Sequence, residues 1–338
     1  MSKLFAVYPQ KPRVLRITLL LAVLALAGVL LSLLVGPAGF GPKALITGLI
    51  DGVGPAGIIA REIRLPRALL ALVVGAALGG SGAALQGLFR NPLAEPGVTG
   101  VTATAGLGAV IALYFGLAAA SPFLLPALAI AGALLAAVIL FFLSRAGASD
   151  VALVLAGVAV SSFAAALTAL ALSLSPNPYA ISEMVLWLMG SLKDRTLIDL
   201  AYAAPLVLIG LLLLASAARG LEALILGEEA AASLGVDVAS VRRRVVLGVA
   251  LATGAATAAA GAVGFVGLVV PHLLRPLCGY SPARLILPSA LGGAVLVCLA
   301  DVAARLILPD GQLMLGVVTA MIGAPFFFWL VFRLRGQA

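Results

Sequence analysis

The chain has 338 residues, of which 63% are hydrophobic and 10% charged, and its formal net charge is +8. A soluble fold must keep part of its surface polar, so this composition, with a mean hydropathy of +1.22, excludes an ordinary globular protein. Lipid must surround most of the chain, and at roughly 20 apolar residues per crossing the length allows about ten crossings. The excess of Lys and Arg indicates membrane topology and does not indicate a nucleic-acid partner.

Apolar runs predict an all-α polytopic membrane protein that forms one transmembrane domain over residues 1–338. The predicted spans, in chain order, are 14–36, 67–88, 98–116, 122–144, 151–172, 198–218, 244–260, 262–274, 284–300 and 316–333. The first run is longer than a signal-peptide core, so we expect a retained span. The eighth is short and interrupted by Gly264, Gly267 and Pro271. We expect it to face protein or a cavity, because lipid cannot satisfy freed backbone groups.

Charge distribution predicts that both termini are cytoplasmic. With this layout Lys and Arg fall on the inner side about twice as often as on the outer side, as the positive-inside rule requires. Arg61, Arg64 and Arg67 are exceptions on the outer side, and their spacing of three residues places them on one face if the segment is helical.

Several functions are disfavoured by missing motifs. The sequence has no P-loop, no H-E-x-x-H, no G-x-S-x-G and no Cys/His cluster, so we expect no catalytic residues, no cofactor and no metal site. Ionisable residues that could couple transport to an ion are scarce, and the nearest candidates, Glu183 and Asp301, fall close to the predicted outer surface. An ion-coupled secondary transporter that works without an ATPase remains the alternative.

The longest polar interruption, 219–244, is predicted to be a cytoplasmic coupling loop with a short helix over 228–234. Acidic residues in the first turn suit the helix dipole, alanines give a small apolar face, and glycine ends the helix. We expect this helix to dock on a motor that the chain itself lacks. The residues assigned to this coupling are Gly227, Glu228, Glu229, Ala231, Ala232, Leu234 and Gly235. A bulky side chain at Ala231 or Ala232 is expected to uncouple that motor; the alternative is an ordinary capped loop helix.

Motifs along essentially the whole chain resemble the FecCD family, the permease subunits of ATP-binding-cassette importers for iron chelates, haem and cobalamin. The resemblance is carried by RLPRALLALVVGAALGGSGAALQGLFRNPLAEPGVTG (64–100), LAGVAVSS (155–162), LWLMGSL (186–192), GEEAAASLGV (227–236), GAVGFVGLVVPHLLR (261–275), DVAAR (301–305) and GVVTAMIGAPFFFWL (316–330). One departure is GQLMLG (311–316), where Gln312 and Met314 stand in place of the family's usual Glu and Pro.

The resemblance implies an assembly in the bacterial inner membrane. It contains a second permease subunit, as a homodimer or a closely similar heterodimer, with two cytoplasmic ATP-binding subunits and a periplasmic binding protein. The chain itself would be no enzyme. The cargo implied first is a ferric siderophore, and haem and cobalamin come next.

Residue roles also follow from the resemblance. Arg64, Arg67 and Arg305 match positions that meet acidic residues of the binding protein, and the alternative is local pairing, such as Arg305 with Asp301. The other local pairs considered are Arg61 or Arg64 with Glu62 or Asp51. Ser161, Ser162 and Thr168 of the fifth span match the wall of the translocation path, or else bond back to helix carbonyls.

Overall fold

The computed structural model describes residues 12–146, 149–175, 177–308 and 313–335, and within these ranges the chain is helical and contains no strand. The first half contains α1 Pro12–Leu34, α2 Pro42–Asp51, α3 Gly54–Ile58, a π-helical turn Ile59–Arg64, α4 Leu65–Leu88, α5 Val101–Tyr114, α6 Leu117–Ala120 and α7 Leu124–Arg145. The second half contains α8 Asp150–Ser173, α9 Pro178–Leu188, α10 Leu197–Ala223, a 3₁₀ turn Leu224–Leu226, α11 Glu228–Ser233, α12 Val238–Ala260, α13 Val266–Leu274, α14 Pro282–Ile307 and α15 Leu315–Arg335.

The prediction of an all-α polytopic membrane protein is confirmed. Seven helical stretches among the described residues are long and apolar enough to cross a membrane, and α5 and most of α15 are shorter apolar helices. Each of the ten predicted spans overlaps one of the helices α1, α4, α5, α7, α8, α10, α12, α13, α14 or α15. The cytoplasmic position of the termini stays a prediction, and Lys3, Lys11 and Gln312 lie outside the described residues.

A tightly packed centre is formed by α4, α12 and α14, whose most apolar windows are 78%, 72% and 67% buried, against 17% for α8. Glycines on α4 allow this close packing. A Cβ atom at Gly79 would lie 2.0 Å from the carbonyl oxygen of Ser289, and one at Gly82 would lie 2.0 Å from that of Gly267. Small residues therefore bring the backbones into contact where no hydrophobic drive between helices exists.

The eighth crossing is broken, as its glycines and proline predict. After α12 the chain runs non-helically over 261–264, and α13 then adds 9 residues, or about 13 Å of helix. This break meets the end of α9 and the start of α15. Ser191 N donates to Ala260 O at 2.7 Å, and a Cβ atom on Gly316 would lie 2.3 Å from Met189 O. Neighbouring protein backbone therefore surrounds the irregular segment.

The second crossing begins earlier than the sequence predicts. The predicted span starts at residue 67, whereas a helical path runs without interruption from Gly54 to Leu88 and includes the π-helical turn. Arginines at 61 and 64 hid this extension, because charged residues lower the hydropathy of a window even when protein partners satisfy them. The two predicted functional regions lie at opposite ends of the bundle. Arg67 is near the start of α4, whereas Gly87, at its other end, is close to Leu221 and Pro282 beside α11.

Candidate functional site

One end of the bundle, which we call the arginine end, contains a buried ionic triad of Arg67, Asp301 and Arg305. Arg67 Nε donates to both carboxylate oxygens of Asp301, at 2.9 and 3.1 Å, and Arg67 Nη2 lies 2.8 Å from Oδ1. Arg305 Nη2 lies 3.1 Å from Oδ2 of the same carboxylate, one helical turn away on α14. The Asp301 side chain is 1% exposed, so two cations share one carboxylate away from water.

Arginines of this end also satisfy the last carbonyl groups of α1. Arg64 Nη1 donates to the carbonyls of Leu33 and Leu34, at 3.0 and 2.9 Å. Arg305 donates to the Ser32 carbonyl, to the Ser32 hydroxyl and to the Val35 carbonyl, at 3.1, 2.7 and 2.9 Å. The final carbonyls of a helix have no partner inside it, and cations suit the negative end of its dipole. The arginines thus tie α1 to α4 and α14.

A cavity of about 360 Å³ opens at the arginine end. Its walls include Arg64, Arg67, Lys193, Asp194 and Arg305 together with apolar residues, so positive charge predominates among its charged groups. The Arg64 side chain is almost fully buried, yet its Nη2 has no hydrogen-bond partner among the described residues. A buried donor without an acceptor is costly, and this nitrogen has almost no surface open to a partner.

The structure brings the three predicted docking arginines together but gives them internal partners. The local pair of Arg305 with Asp301 is present. Arg61 instead donates to the carbonyls of Leu49 and Ile50, at the end of α2. Contact with a binding protein therefore stays a prediction for all three residues.

The opposite end carries α11, whose bounds match the predicted coupling helix to within one residue. Gly227 precedes it with φ +97° and ψ 162°, a conformation accessible essentially only to glycine. At its other end Gly235 has φ +81°, Gly235 N donates to Ala232 O, and Val236 N donates to Ala231 O. These two bonds form the glycine-dependent cap that commonly ends helices.

The predicted coupling residues on and beside α11 differ in how far their side chains are exposed. Ala231 is fully buried, whereas Ala232 is exposed and Leu234 is 67% exposed. Leu226, in the preceding turn, is also 67% exposed. An ion pair between Glu228 and Arg242 joins α11 to α12. The exposed residues of this segment therefore include the apolar Leu226, Ala232 and Leu234 together with the polar Glu229 and Ser233, and the ion pair and Ala231 fix the helix to the bundle.

The three predicted path residues lie on α8, which buries little of its surface within the chain. Ser162 is exposed, and Ser161 and Thr168 are partly exposed. Ser161 Oγ donates across to the carbonyl of Gly97 at 3.3 Å, so it does not bond back to its own helix. The role of these residues in a path stays a prediction.

Sequence reasoning missed Glu95, which lies in the loop 89–100 between α4 and α5. It borders a cavity of about 390 Å³ whose wall also includes Phe265. Burial raises the pKa of Glu95 to about 7, and the nearby backbone of Phe265 opposes that shift. The prolines on either side of Glu95 were visible in the sequence, but its position beside a residue 170 positions later was not.

The side chain of Gln86 forms a polar link to α13 near both ends of that helix. Gln86 Nε2 donates to the Gly267 carbonyl at 3.2 Å, and the Gln86 carbonyl oxygen accepts from Arg275. Burial lowers the pKa of Arg275 from its ordinary value, and nearby Tyr280 opposes that shift. Gln86 therefore fixes α13 to the second crossing, as expected for a structural residue.

The crossing helices, the broken eighth crossing, the charged cluster at one end and the small capped helix at the other suit a membrane transport subunit. The chain belongs to the FecCD transport family, whose model matches residues 21–333. It is a permease subunit of an ATP-binding-cassette importer.

Two curated relatives and one solved structure are similar to the chain. It is 41% identical to the hemin transport system permease protein HmuU of Yersinia pestis over 286 residues, 82% of this chain and 84% of that protein. It is 39% identical to the vitamin B12 import system permease protein BtuC of Salmonella paratyphi A over 329 residues, 96% of this chain and 97% of that protein. A structure described as an inward-facing metal-chelate type ABC transporter superposes with a TM-score of 0.83 at 32% identity, covering 94% of this chain and 99% of that one.

Proposed function

We propose that this chain is the non-catalytic conduit of its importer and that α11 receives the motion of a separate ATP-binding subunit. The observation that carries the proposal is the exposure of three apolar residues on and beside α11, Leu226, Ala232 and Leu234, at the end of the bundle opposite the arginine end. Two glycines in left-handed conformations fix the position of this short helix. A small face held in a fixed orientation suits insertion into a groove on a partner.

The difference in burial between Ala231 and Ala232 gives a specific test. Ala232→Trp should leave the fold intact but prevent seating of the ATP-binding subunit, so uptake in proteoliposomes should fall by about tenfold or more. Ala120→Trp, on the exposed α6, is the matched control. Ala231→Trp should instead disturb packing and lower the yield of folded protein, because that side chain has no free space. Normal uptake by the Ala232→Trp variant at equal expression would contradict the proposal.

Dependence on ATP separates this function from ion-coupled transport. Proteoliposomes that contain the permease and its ATP-binding subunits should accumulate cargo only when ATP is supplied on the side of the membrane where those subunits lie. An ionophore should leave the rate of uptake unchanged. Uphill accumulation by the purified chain alone would instead establish the ion-coupled alternative.

We propose an intact metal chelate as the cargo: a ferric siderophore, haem or cobalamin. Support comes from relatives named for hemin and vitamin B12 and from the structural relative of metal-chelate type. Uptake of one labelled chelate in competition with the other two distinguishes them. Absence of ATP-dependent uptake for all three chelates would contradict the whole class.

Two further partners are proposed: a second copy of the permease and a periplasmic binding protein. We also propose that the chain lies in a bacterial inner membrane with both termini cytoplasmic. For the second copy, the support is the largely exposed α8 and an open apolar groove of about 710 Å³ along Gly316, Ala320 and Ala324 of α15. Small residues at this spacing permit close helix packing. Native mass spectrometry of the purified permease should give a dimer.

For the binding protein, the support is the basic cavity, whose wall includes Arg64. Arg64 is not a member of the triad on Asp301, so a carboxylate that enters the cavity could meet Arg64 with the triad intact. Arg64→Glu should weaken association with the binding protein, and an acid-to-base change on the partner should restore it. Lys43→Glu, an exposed change on α2, is the control. Unchanged association of the Arg64→Glu variant would refute docking at this residue.

A further inference from the structure

We propose that Glu222, in the last turn of α10, is a positioning residue that caps α14 across the interface between the two helices. The cap makes the start of α14 depend on the segment that leads into α11. Two hydrogen bonds, the lack of a local acid on α14 and the backbone conformation before that helix carry this inference. Its meaning for transport rests on the proposed function, whereas the cap is a property of the chain alone.

Both hydrogen bonds end on one carboxylate oxygen of Glu222. The Ser281 hydroxyl donates to Oε2 at 2.6 Å, and the backbone N–H of Ala283 donates to the same atom at 3.2 Å. The Ser281 hydroxyl oxygen in turn accepts from the N–H of Arg284 at 3.3 Å. The first N–H groups of a helix lack acceptors inside it, so the carboxylate and the hydroxyl together serve two of them.

The sequence of α14 lacks an acid that could support this end locally. Ser281 occupies the N-cap position, and in a capping box a Glu or Gln follows three residues later. Here Arg284 stands at that position, and the first turn contains no acidic residue. A negative charge near the N-terminus of a helix is favourable. Glu222 therefore provides from α10 both an acceptor and a charge that α14 itself does not contain.

The chain enters α14 in an unusual backbone conformation. Tyr280, directly before Ser281, has φ +58°, which is uncommon for a residue other than glycine. The turn that contains Tyr280 is held at its start by the hydrogen bond from Arg275 to Gln86 and at its end by the bond from Ser281 to Glu222. A strained backbone persists where its surroundings determine it, so loss of Glu222 should release the end of this turn.

Apolar packing beside the cap does not replace it. Leu221 and Pro282 both lie against Gly87 of α4, where a Cβ atom would be 3.7 Å from Leu221 Cδ1 and 3.0 Å from Pro282 Cβ. This packing holds α10 and α14 close together. Carbon atoms accept no hydrogen bond of this kind, however, so the N–H of Ala283 still depends on Glu222 for its acceptor.

The position of the cap connects the two ends of the bundle. Residues 223–227 separate Glu222 from α11, so a shift of α11 is passed directly to the end of α10. The helix that Glu222 caps continues to Ile307 and carries Asp301 and Arg305 of the triad at the arginine end. A displacement that begins at α11 should therefore reach the start of α14 through this carboxylate.

The first test is local and independent of transport. It follows hydrogen exchange of the Ala283 amide in the purified chain in nanodiscs, by mass spectrometry of short overlapping peptides. Exchange should be about tenfold faster in Glu222→Ala than in the wild-type chain, because the acceptor is gone. Glu222→Gln keeps an oxygen acceptor at the same length and should retain most of the protection. Glu222→Asp keeps the charge but is one methylene shorter, so it should lose the protection.

Asp237→Ala is the matched control. Asp237 caps α12 within its own chain segment, where its carboxylate accepts from the N–H of Ser240 at 3.0 Å. Its loss should accelerate exchange at Ser240 and leave Ala283 unchanged. If Glu222→Ala does not fold, the comparison of Glu222→Asp with Glu222→Gln takes its place. Wild-type protection of Ala283 in Glu222→Ala or Glu222→Asp would overturn the proposal.

Transport measurements then separate this inference from the proposed function. In the complete assembly Glu222→Ala should raise the number of ATP molecules hydrolysed per cargo molecule, and Glu222→Gln should restore the wild-type ratio. A wild-type ratio in a Glu222→Ala assembly whose Ala283 exchanges rapidly would overturn the role of the cap in transport. If the wild-type assembly shows no ATP-dependent uptake, the proposed function fails while the exchange results still decide whether Glu222 caps α14.

Discussion

The buried triad at the arginine end leads to the most quantitative prediction. Asp301→Asn keeps the shape of the side chain but removes the one negative charge that Arg67 and Arg305 share. Their side chains are 15% and 8% exposed, so neither cation can recover full hydration without moving. Removing one partner of a buried ion pair costs about 3–5 kcal/mol, and here two cations would also repel each other. Since Arg305 also binds the end of α1, we expect that helix to loosen.

The assay is unfolding of the purified chain in detergent, followed by tryptophan fluorescence, with Asp51→Asn as the control. Asp51 is exposed at the end of α2, so its amide variant should lie within about 0.5 kcal/mol of the wild-type chain. A triple replacement of the triad by Met, Leu and Met should recover much of the loss, because well-packed apolar residues avoid the desolvation cost. An Asp301→Asn variant as stable as the Asp51→Asn control would refute the argument that this carboxylate is essential to the cluster.

Three further predictions concern α4, the loop 89–100 and α11. Gly82→Ala should strongly reduce the yield of folded protein, measured by size-exclusion chromatography, because its Cβ would meet the backbone of Gly267; a normal profile would contradict the close approach. The pKa of Glu95 lies near 7 in the folded chain against an ordinary 4.5, so the folded state binds the extra proton between these values, and wild-type stability should fall by about 2 kcal/mol as pH rises from 4.5 to 7. Glu95→Gln should remove this pH dependence, and a parallel decline in both chains would contradict it. Gly227→Ala should cost about 1–3 kcal/mol locally and lower ATP-driven uptake without altering the melting temperature of the crossings; unchanged uptake would count against a strained start to α11.

Most of the fold could be predicted from the sequence because lipid imposes a simple rule on segment length. The ten predicted spans overlap helices for that reason, and the break in the eighth was visible from its glycines and proline. The start of the second crossing could not be read in this way. A hydropathy window counts arginines as polar, whereas Arg61 and Arg64 have backbone carbonyls as partners within the protein.

The coupling helix was predictable for a different reason, since its glycines and first-turn acids are local signals. The difference between Ala231 and Ala232 is tertiary and needed coordinates. The same holds for the arginines, where residues more than 200 positions apart meet on one carboxylate. Glu95 gave no such local signal, because Phe265, which borders the same cavity, lies 170 positions later in the chain.

The glycine contacts of α4 with α13 and α14 have a practical consequence for measurements of conformational change in this protein. Backbones that touch cannot slide past one another without losing contact along their length, so the central helices should keep their mutual distances through every stage of a cycle. Pairs of labels placed within these helices would give reference distances that stay constant. Displacements measured against these reference distances should then concentrate in the periphery, where α8 buries little of its surface.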